Sequence, residues 1–415
     1  MTRSSTRLVF AALVALALTF PFHLEGQPWV YVNDNNQTVG GNTASLFDFS
    51  SVGPTLTYIA PYATTSTGIA FMPVPNQVVA AAYNTGVSCV FASDPLGDST
   101  FPTGDVAAFT VGGGGVLTLV GLFDDPTNTS GNNDLLTLAI DRRKNEPLLF
   151  AVFQDEQKIV SFKINTHTCA LSWIASKTAI GLNNGWPIAM GINNTPDAHD
   201  MLVVSYGDGS IQAFKNAGGV LTPTPAILSA GFSGHGAVPQ GLDITENGEY
   251  AVFADSNGPT TELEVSPILA GGLGATTDYP ALNAAVDSEN VWLSPGAVGG
   301  KYYVYVTNNT SGAVSTFRIT DGTGVITPAG VCGGGYTNPT PLRPLSWSYP
   351  AGLHTIKTTT SGADLAVTEF GVPSSVALLE IQNATGCTKE AAGSPFTDSN
   401  SNDLNSLDVL PSRPY

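Results

Sequence analysis

The residues best suited to chemistry in this sequence are Glu289, His354 and Arg343, with His235, Gln240, Trp186 and Asn405 as candidate contacts for a bound molecule. A Glu or His side chain can act as a general base on water, and a guanidinium can hold a carboxylate or a developing oxyanion. Glu289 or His354, acting with Arg343, would therefore suit hydrolysis of a lactone. Other catalytic signatures are missing: there is no Gly-x-Ser-x-Gly, no His-Glu-x-x-His and no glycine loop built to cradle phosphate. Asp398, Asn400 and Asn402 alternate as at the start of a calcium loop, but the glycine of the sixth position is absent and Val409 stands where a bidentate Glu belongs. Asp124, Asp125, Asn128, Asn132, Asn133 and Asp134 form a second oxygen-rich stretch. Polar turn chemistry accounts for both stretches without a metal, and calcium is the only cofactor the residues suggest.

These residues are scattered along the chain, so only a fold that gathers distant loops makes them a site. Seven segments share a run of β-branched, aromatic or small residues ending at a polar or glycine turn: 29–35, 78–84, 148–154, 201–207, 250–256, 302–308 and 365–371. Each leads to a second alternating run, at 44–49, 106–111, 159–164, 211–216, 261–266, 314–319 and 377–382. Period-two alternation bounded by turn residues is the mark of antiparallel strands. A third family precedes six of the units, at 68–72, 136–140, 188–192, 241–245, 291–294 and 354–358, and its seventh member is displaced to 406–410. Outer runs such as 56–59 and 117–123 bring each unit to four strands.

This pattern, repeating every roughly 50 to 70 residues, implies an all-β, seven-bladed β-propeller. The chain enters at Trp29 on a second strand, so 406–410 would supply the inner strand of that first blade. The C-terminal strand would then pair with the N-terminal blade and close the ring, removing two open sheet edges. A β-sandwich pair or a solenoid explains neither the four-strand units nor the terminal complement. In a propeller the loops entering the inner strands gather on one rim around a central channel. Asp134, Trp186, Gln240, Glu289 with Asn290, His354 and Asn405 stand just ahead of those strands, with His235 and Arg343 in neighbouring loops.

Tyr305-Val306-Thr307-Asn308-Asn309, followed by Ser311-Gly312-Ala313-Val314-Ser315, resembles the YVTN repeat of surface-layer and lactonase-like propellers. Beyond its leader the whole chain is similar to the seven-bladed lactonase-like family, which includes 6-phosphogluconolactonases and a fungal muconate-lactonising enzyme. The resemblance implies a channel-mouth site using His, Glu and Arg, and matches this chain by role rather than by a shared motif. Phosphosugar members would carry several basic residues for the phosphate. This chain has few.

Thirty-three acidic residues face fifteen basic ones, for a net charge of −18. That balance excludes nucleic acid as a partner and disfavours anionic membranes and highly phosphorylated substrates. Arg3 and Arg7 followed by an apolar run over 8–22 read as a signal peptide spanning 1–26, leaving 27–415 as one domain with no transmembrane segment. Cys89, Cys169, Cys332 and Cys387 allow two disulfides in three pairings, or buried free thiols. The expected protein is a secreted or periplasmic scaffold that binds a small-molecule lactone or carbohydrate, or a cell-envelope protein. Its rival is an extracellular lactone hydrolase.

Overall fold

A computed structural model of the chain describes residues 28–34, 43–50, 55–64, 77–94, 105–127, 135–142, 147–154, 156–193, 200–228, 239–255, 261–280, 282, 288–294, 300–342, 349–357, 363–370, 374–397 and 404–410. Within them the chain forms seven antiparallel sheets of four strands in line, four of which carry an additional short strand. Blade 1 holds Trp29–Asp34, Thr43–Ser50 and Thr55–Ala63; its inner strand is Leu404–Leu410. The inner strands of blades 2 to 7 are Val78–Ala82, Leu135–Asp141, Pro187–Ile192, Pro239–Ile244, Ser288–Leu293 and Tyr349–Lys357. Each inner strand touches those of the blades before and after it, so the seven make a closed ring.

Hydrophobic burial is distributed around this ring rather than gathered at its centre. Among the described residues there are seven apolar clusters, each lying between two adjacent blades. A strand in a middle layer therefore packs on both faces. Leu148–Phe153 and Met201–Tyr206 are buried at every residue, the first run continuously apolar and the second broken only by Ser205. The seam between blades 7 and 1 takes Leu404, Leu407 and Val409 from the chain's last strand. That strand pairs antiparallel with Trp29–Asp34, from Trp29 opposite Leu410 to Asp34 opposite Leu404.

Two strand assignments differ from the sequence reading. Val78–Ala82 is the inner strand of blade 2, not its second, and Ser88–Asp94 takes the second place. Because the run at 78–82 is packed on both sides, it lacks the alternation that separates inner from middle strands; the run at 68–72 lies outside the described residues. In blade 7 the inner strand begins at Tyr349 rather than His354. A register shift between Pro350 and Leu353 lets the strand accommodate proline, which cannot donate to the ladder.

The cysteines pair as Cys89–Cys169 and Cys332–Cys387, deciding among the alternatives the spacing left open. The first bridge joins blade 2 to blade 3, and the second joins the loops of blades 6 and 7. Closing loops of 80 and 55 residues in the unfolded chain contributes about 4 kcal/mol per bridge on chain-entropy grounds. Reducing both bridges is expected to lower the urea unfolding midpoint accordingly. An unchanged midpoint would mean that neither bridge supports the native ring.

Candidate functional site

The inner strands repeat a triplet in which two apolar residues flank a variable one. The triplets are Leu407-Asp408-Val409, Leu138-Ala139-Ile140, Met190-Gly191-Ile192, Leu242-Asp243-Ile244 and Val291-Trp292-Leu293, with Leu353-His354-Thr355 at the same place in blade 7. In the first five, both flanking residues pack into the seam with the preceding blade. Since side chains alternate along a strand, the middle residue turns the other way. All six middle residues line a cavity of about 130 Å³ in the central channel, and flanking residues such as Leu138, Met190 and Leu242 complete its wall. Blades 3 and 4 contribute the small Ala139 and Gly191. Blades 5, 6, 7 and 1 contribute Asp243, Trp292, His354 and Asp408. A Cβ on Gly191 would come within 2.2 Å of Leu242 Cδ2, so a side chain there would require that leucine to move.

Asp408 is the hub of the polar arc. Its Oδ1 lies 2.8 Å from His354 Nε2 and accepts from Val409 N at 2.7 Å. Its Oδ2 accepts from Arg142 Nη2 at 2.9 Å and from Ala80 N at 2.7 Å. Arg142 reaches past blade 2 from blade 3, and its Nε and Nη2 also donate to Ala80 O at 3.2 and 3.1 Å. These four contacts use the acceptor capacity of a carboxylate. Burial alone would favour the neutral acid, but the charges of His354 and Arg142, helped by the hydrogen bonds, hold Asp408 below the usual carboxylate range. The indole of Trp292 lies against the His354 imidazole, with ring centroids 3.8 Å apart.

The same side chains solve a backbone problem. An inner strand has no neighbour on its channel side, so its N–H groups there need other acceptors. Asp408 takes Ala80 N, Asp243 Oδ2 takes Leu293 N at 2.8 Å, Ser406 Oγ takes Val78 N at 3.2 Å, and Gln77 Oε1 takes Leu138 N at 2.6 Å. Each of these bonds links one blade to the next.

The expected site residues are placed unevenly. His354 is 3% exposed and sits within its strand facing the channel, deeper than a rim position. Glu289 is half-buried, accepts from Asn309 Nδ2 at 2.8 Å, and is not among the residues lining the cavity, although its neighbour Asn290 is. Trp186 is exposed at the start of blade 4's inner strand, also outside the lining. Gln240 and Asn405 fall in the inner strands of blades 5 and 1, and their side chains lie outside the description. Arg343, His235, Asp398, Asn400 and Asn402 lie outside the described residues altogether. Among those described, no group of three or more His, Cys, Asp or Glu is placed to hold a metal. Asp125, from the second oxygen-rich stretch, accepts instead from Thr127 N and Oγ1 at 2.9 and 2.8 Å.

Asp243, Trp292, Asp408 and Arg142 were not singled out from the sequence; the middle place of the apolar triplet is the signal that identifies the first three. Strongly raised acids often flag function, and two occur in blade 7. Burial, with Glu390 nearby, pushes Glu369 up to about 7 against the Ser375 hydroxyl that favours the anion. Burial and Glu380 push Asp364 up to about 6. Neither lines the channel cavity.

Among solved structures, a putative 6-phosphogluconolactonase from Bacteroides fragilis is similar at 18% identity and a TM-score of 0.63, covering 94% of this chain and 99% of that one. A second, from Bacteroides uniformis, gives 14% identity and a TM-score of 0.64 over 92% and 99%. A protein from Lactobacillus plantarum gives 14% and 0.63 over 92% and 99%. These likenesses show the fold, a seven-bladed β-propeller. No protein-family profile and no curated protein matches the sequence.

Replacing Asp408 with Asn leaves two basic side chains facing an uncharged amide, at an expected cost of about 3 kcal/mol at neutral pH. Because the carboxyl is held below its ordinary value, the stability it supplies is present above that value and lost as pH falls through the depressed one. Urea unfolding of wild type and Asp408→Asn should therefore differ most at neutral pH and converge in acid. An equal gap at both would remove Asp408's charge from the account.

Proposed function

We propose that the protein is an exported propeller that binds a small, unphosphorylated polar ligand in its central channel. The observation that carries this reading is the engagement of Arg142. It is the only Arg or Lys among the described residues lining the cavity, and its guanidinium is held by Asp408 and Ala80 O. A phosphate would have to compete with that buried carboxylate, beside Asp243 and Glu246 in the same lining. The 6-phosphogluconolactonase description attached to the Bacteroides structures is therefore not carried over to this chain. A polar arc of Asp243, Asn290, Trp292 and His354 opposite small Ala139 and Gly191 suits a ring bearing hydroxyl or ester oxygens. The basic, apolar leader and the two inter-blade disulfides support export to an oxidising compartment.

One observation favours hydrolysis as the second reading. His354 lines the cavity with its Nε2 2.8 Å from the carboxylate of buried Asp408, an imidazole–carboxylate pair of the kind that serves general-base catalysis. In that reading the base is His354, Asp408 positions it, and Glu289, turned to Asn309, is not required.

Calorimetric titration with glucono-δ-lactone, its 6-phosphorylated form and neutral monosaccharides, alongside a lactone-hydrolysis assay, separates these outcomes. Binding of unphosphorylated ligands without turnover is expected, and Trp292→Ala should weaken it. Turnover that falls by about 100-fold or more in His354→Gln, with Glu289→Gln unaffected, would establish the hydrolase instead. Preference for the phosphorylated lactone, or no binding of any of them, would overturn the channel assignment.

A further inference from the structure

The loop that precedes blade 4 exposes three large apolar side chains within seven residues: Ile180, Leu182 at 52% and Trp186 at 53%. Exposed apolar surface of this kind marks contact sites when it is held in one shape, because little entropy is then lost on binding. This loop is held. Asp208, in the turn between the second and third strands of blade 4, accepts from Asn183 N at 2.6 Å, Gly185 N at 3.2 Å, Ser210 N at 2.9 Å and Ser210 Oγ at 2.5 Å. Gly181 and Gly185 both press on that carboxylate, and a Cβ at either would come within 2.5 Å of it. Leu182 N donates to Ser210 Oγ at 3.2 Å, Gly181 N donates to Gly185 O at 2.9 Å, and Gln157 of blade 3 donates to Asn184 O at 3.2 Å.

The indole itself is seated. Trp186 O accepts from Gly207 N at 2.9 Å, and a Cβ on Gly207 would lie 3.0 Å from the Trp186 Nε1. One part of the ring thus rests on backbone while about half of the residue faces solvent. Asn183 and Asn184 beside it are exposed and carry amides that both donate and accept. The loop contains no charged residue, and the Asp208 carboxylate beneath it is occupied by its four donors.

We infer that this loop is a binding site for a neutral saccharide, separate from the channel. The apolar C–H face of a sugar ring would stack on Trp186, and its hydroxyls would bond to the Asn183 and Asn184 amides. An aromatic surface flanked by uncharged amides matches the two-sided character of a pyranose, and the lack of a cation in the loop argues against an anionic ligand. The site is independent of what the channel binds, since Trp186 does not line the cavity.

Native gels containing soluble neutral polysaccharides (a β-glucan, a xylan and a galactomannan), with alginate as an anionic control, test this on the full chain. Retardation by at least one neutral polymer is expected. Trp186→Ala should weaken it about tenfold, equivalent to 1.4 kcal/mol; Trp186→Tyr should restore part of it, and Asp208→Ala should weaken it by releasing the loop. Unchanged melting of Trp186→Ala establishes that the fold is kept, and retardation that persists in His354→Gln separates this site from the channel. Retardation by none of the neutral polymers, by alginate alone, or equally in Trp186→Ala overturns the inference.

Discussion

The pairing of Leu404–Leu410 with Trp29–Asp34 is the interaction on which the rest of this structure depends. Six blades carry their inner strand from the same stretch of chain, and the first borrows its own from the far end. Without that loan Trp29–Asp34 would lose its inner ladder partner, and the seam between blades 7 and 1 would lose the apolar contributions of Leu404, Leu407 and Val409. A ring of this kind has no single core. Its stability is the sum of its inter-blade seams, so the weakest closure bears on all of them.

Closure also builds the channel. Asp408, on the borrowed strand, meets His354 of blade 7, Ala80 of blade 2 and Arg142 of blade 3. Four blades thus converge on one buried carboxylate. This explains why a strongly acidic chain places scarce basic side chains at its centre: they neutralise a charge whose first task is to satisfy the free edge of a neighbouring strand. The polar arc left beside it, from Asp243 through Trp292 to His354, is what a ligand would meet. Structure and site are not separable here.

Much of this arrangement could be read in the residues. The strand families, the count of seven and the displaced last strand follow from turn-bounded runs such as 201–207 and 302–308. Blade 2 was shifted by one strand because Val78–Ala82 is apolar on both faces and carries no alternation to mark its layer. The site was less legible for a geometric reason. Sequence spacing points to the positions ahead of the inner strands, where loops converge, whereas the channel is lined from within those strands. His354 stands out as one of five histidines; Asp243 and Asp408 resemble ordinary solvated acids until the flanking leucine and valine or isoleucine are seen to pack into a seam. Arg142 opens the basic run Arg142-Arg143-Lys144, and nothing in that sequence announces a side chain reaching from blade 3 past blade 2.

Hydrogen exchange of the intact protein, followed by mass spectrometry of peptides covering 404–410 and 29–34, tests the closure most directly. The account predicts that the two segments are protected together, and to the same degree as the buried middle strands Leu148–Phe153 and Met201–Tyr206. Rapid exchange of the terminal strand, with those middle strands still protected, would contradict it: the ring would then stand without its borrowed strand, and the channel around Asp408 would not be a permanent feature of the fold.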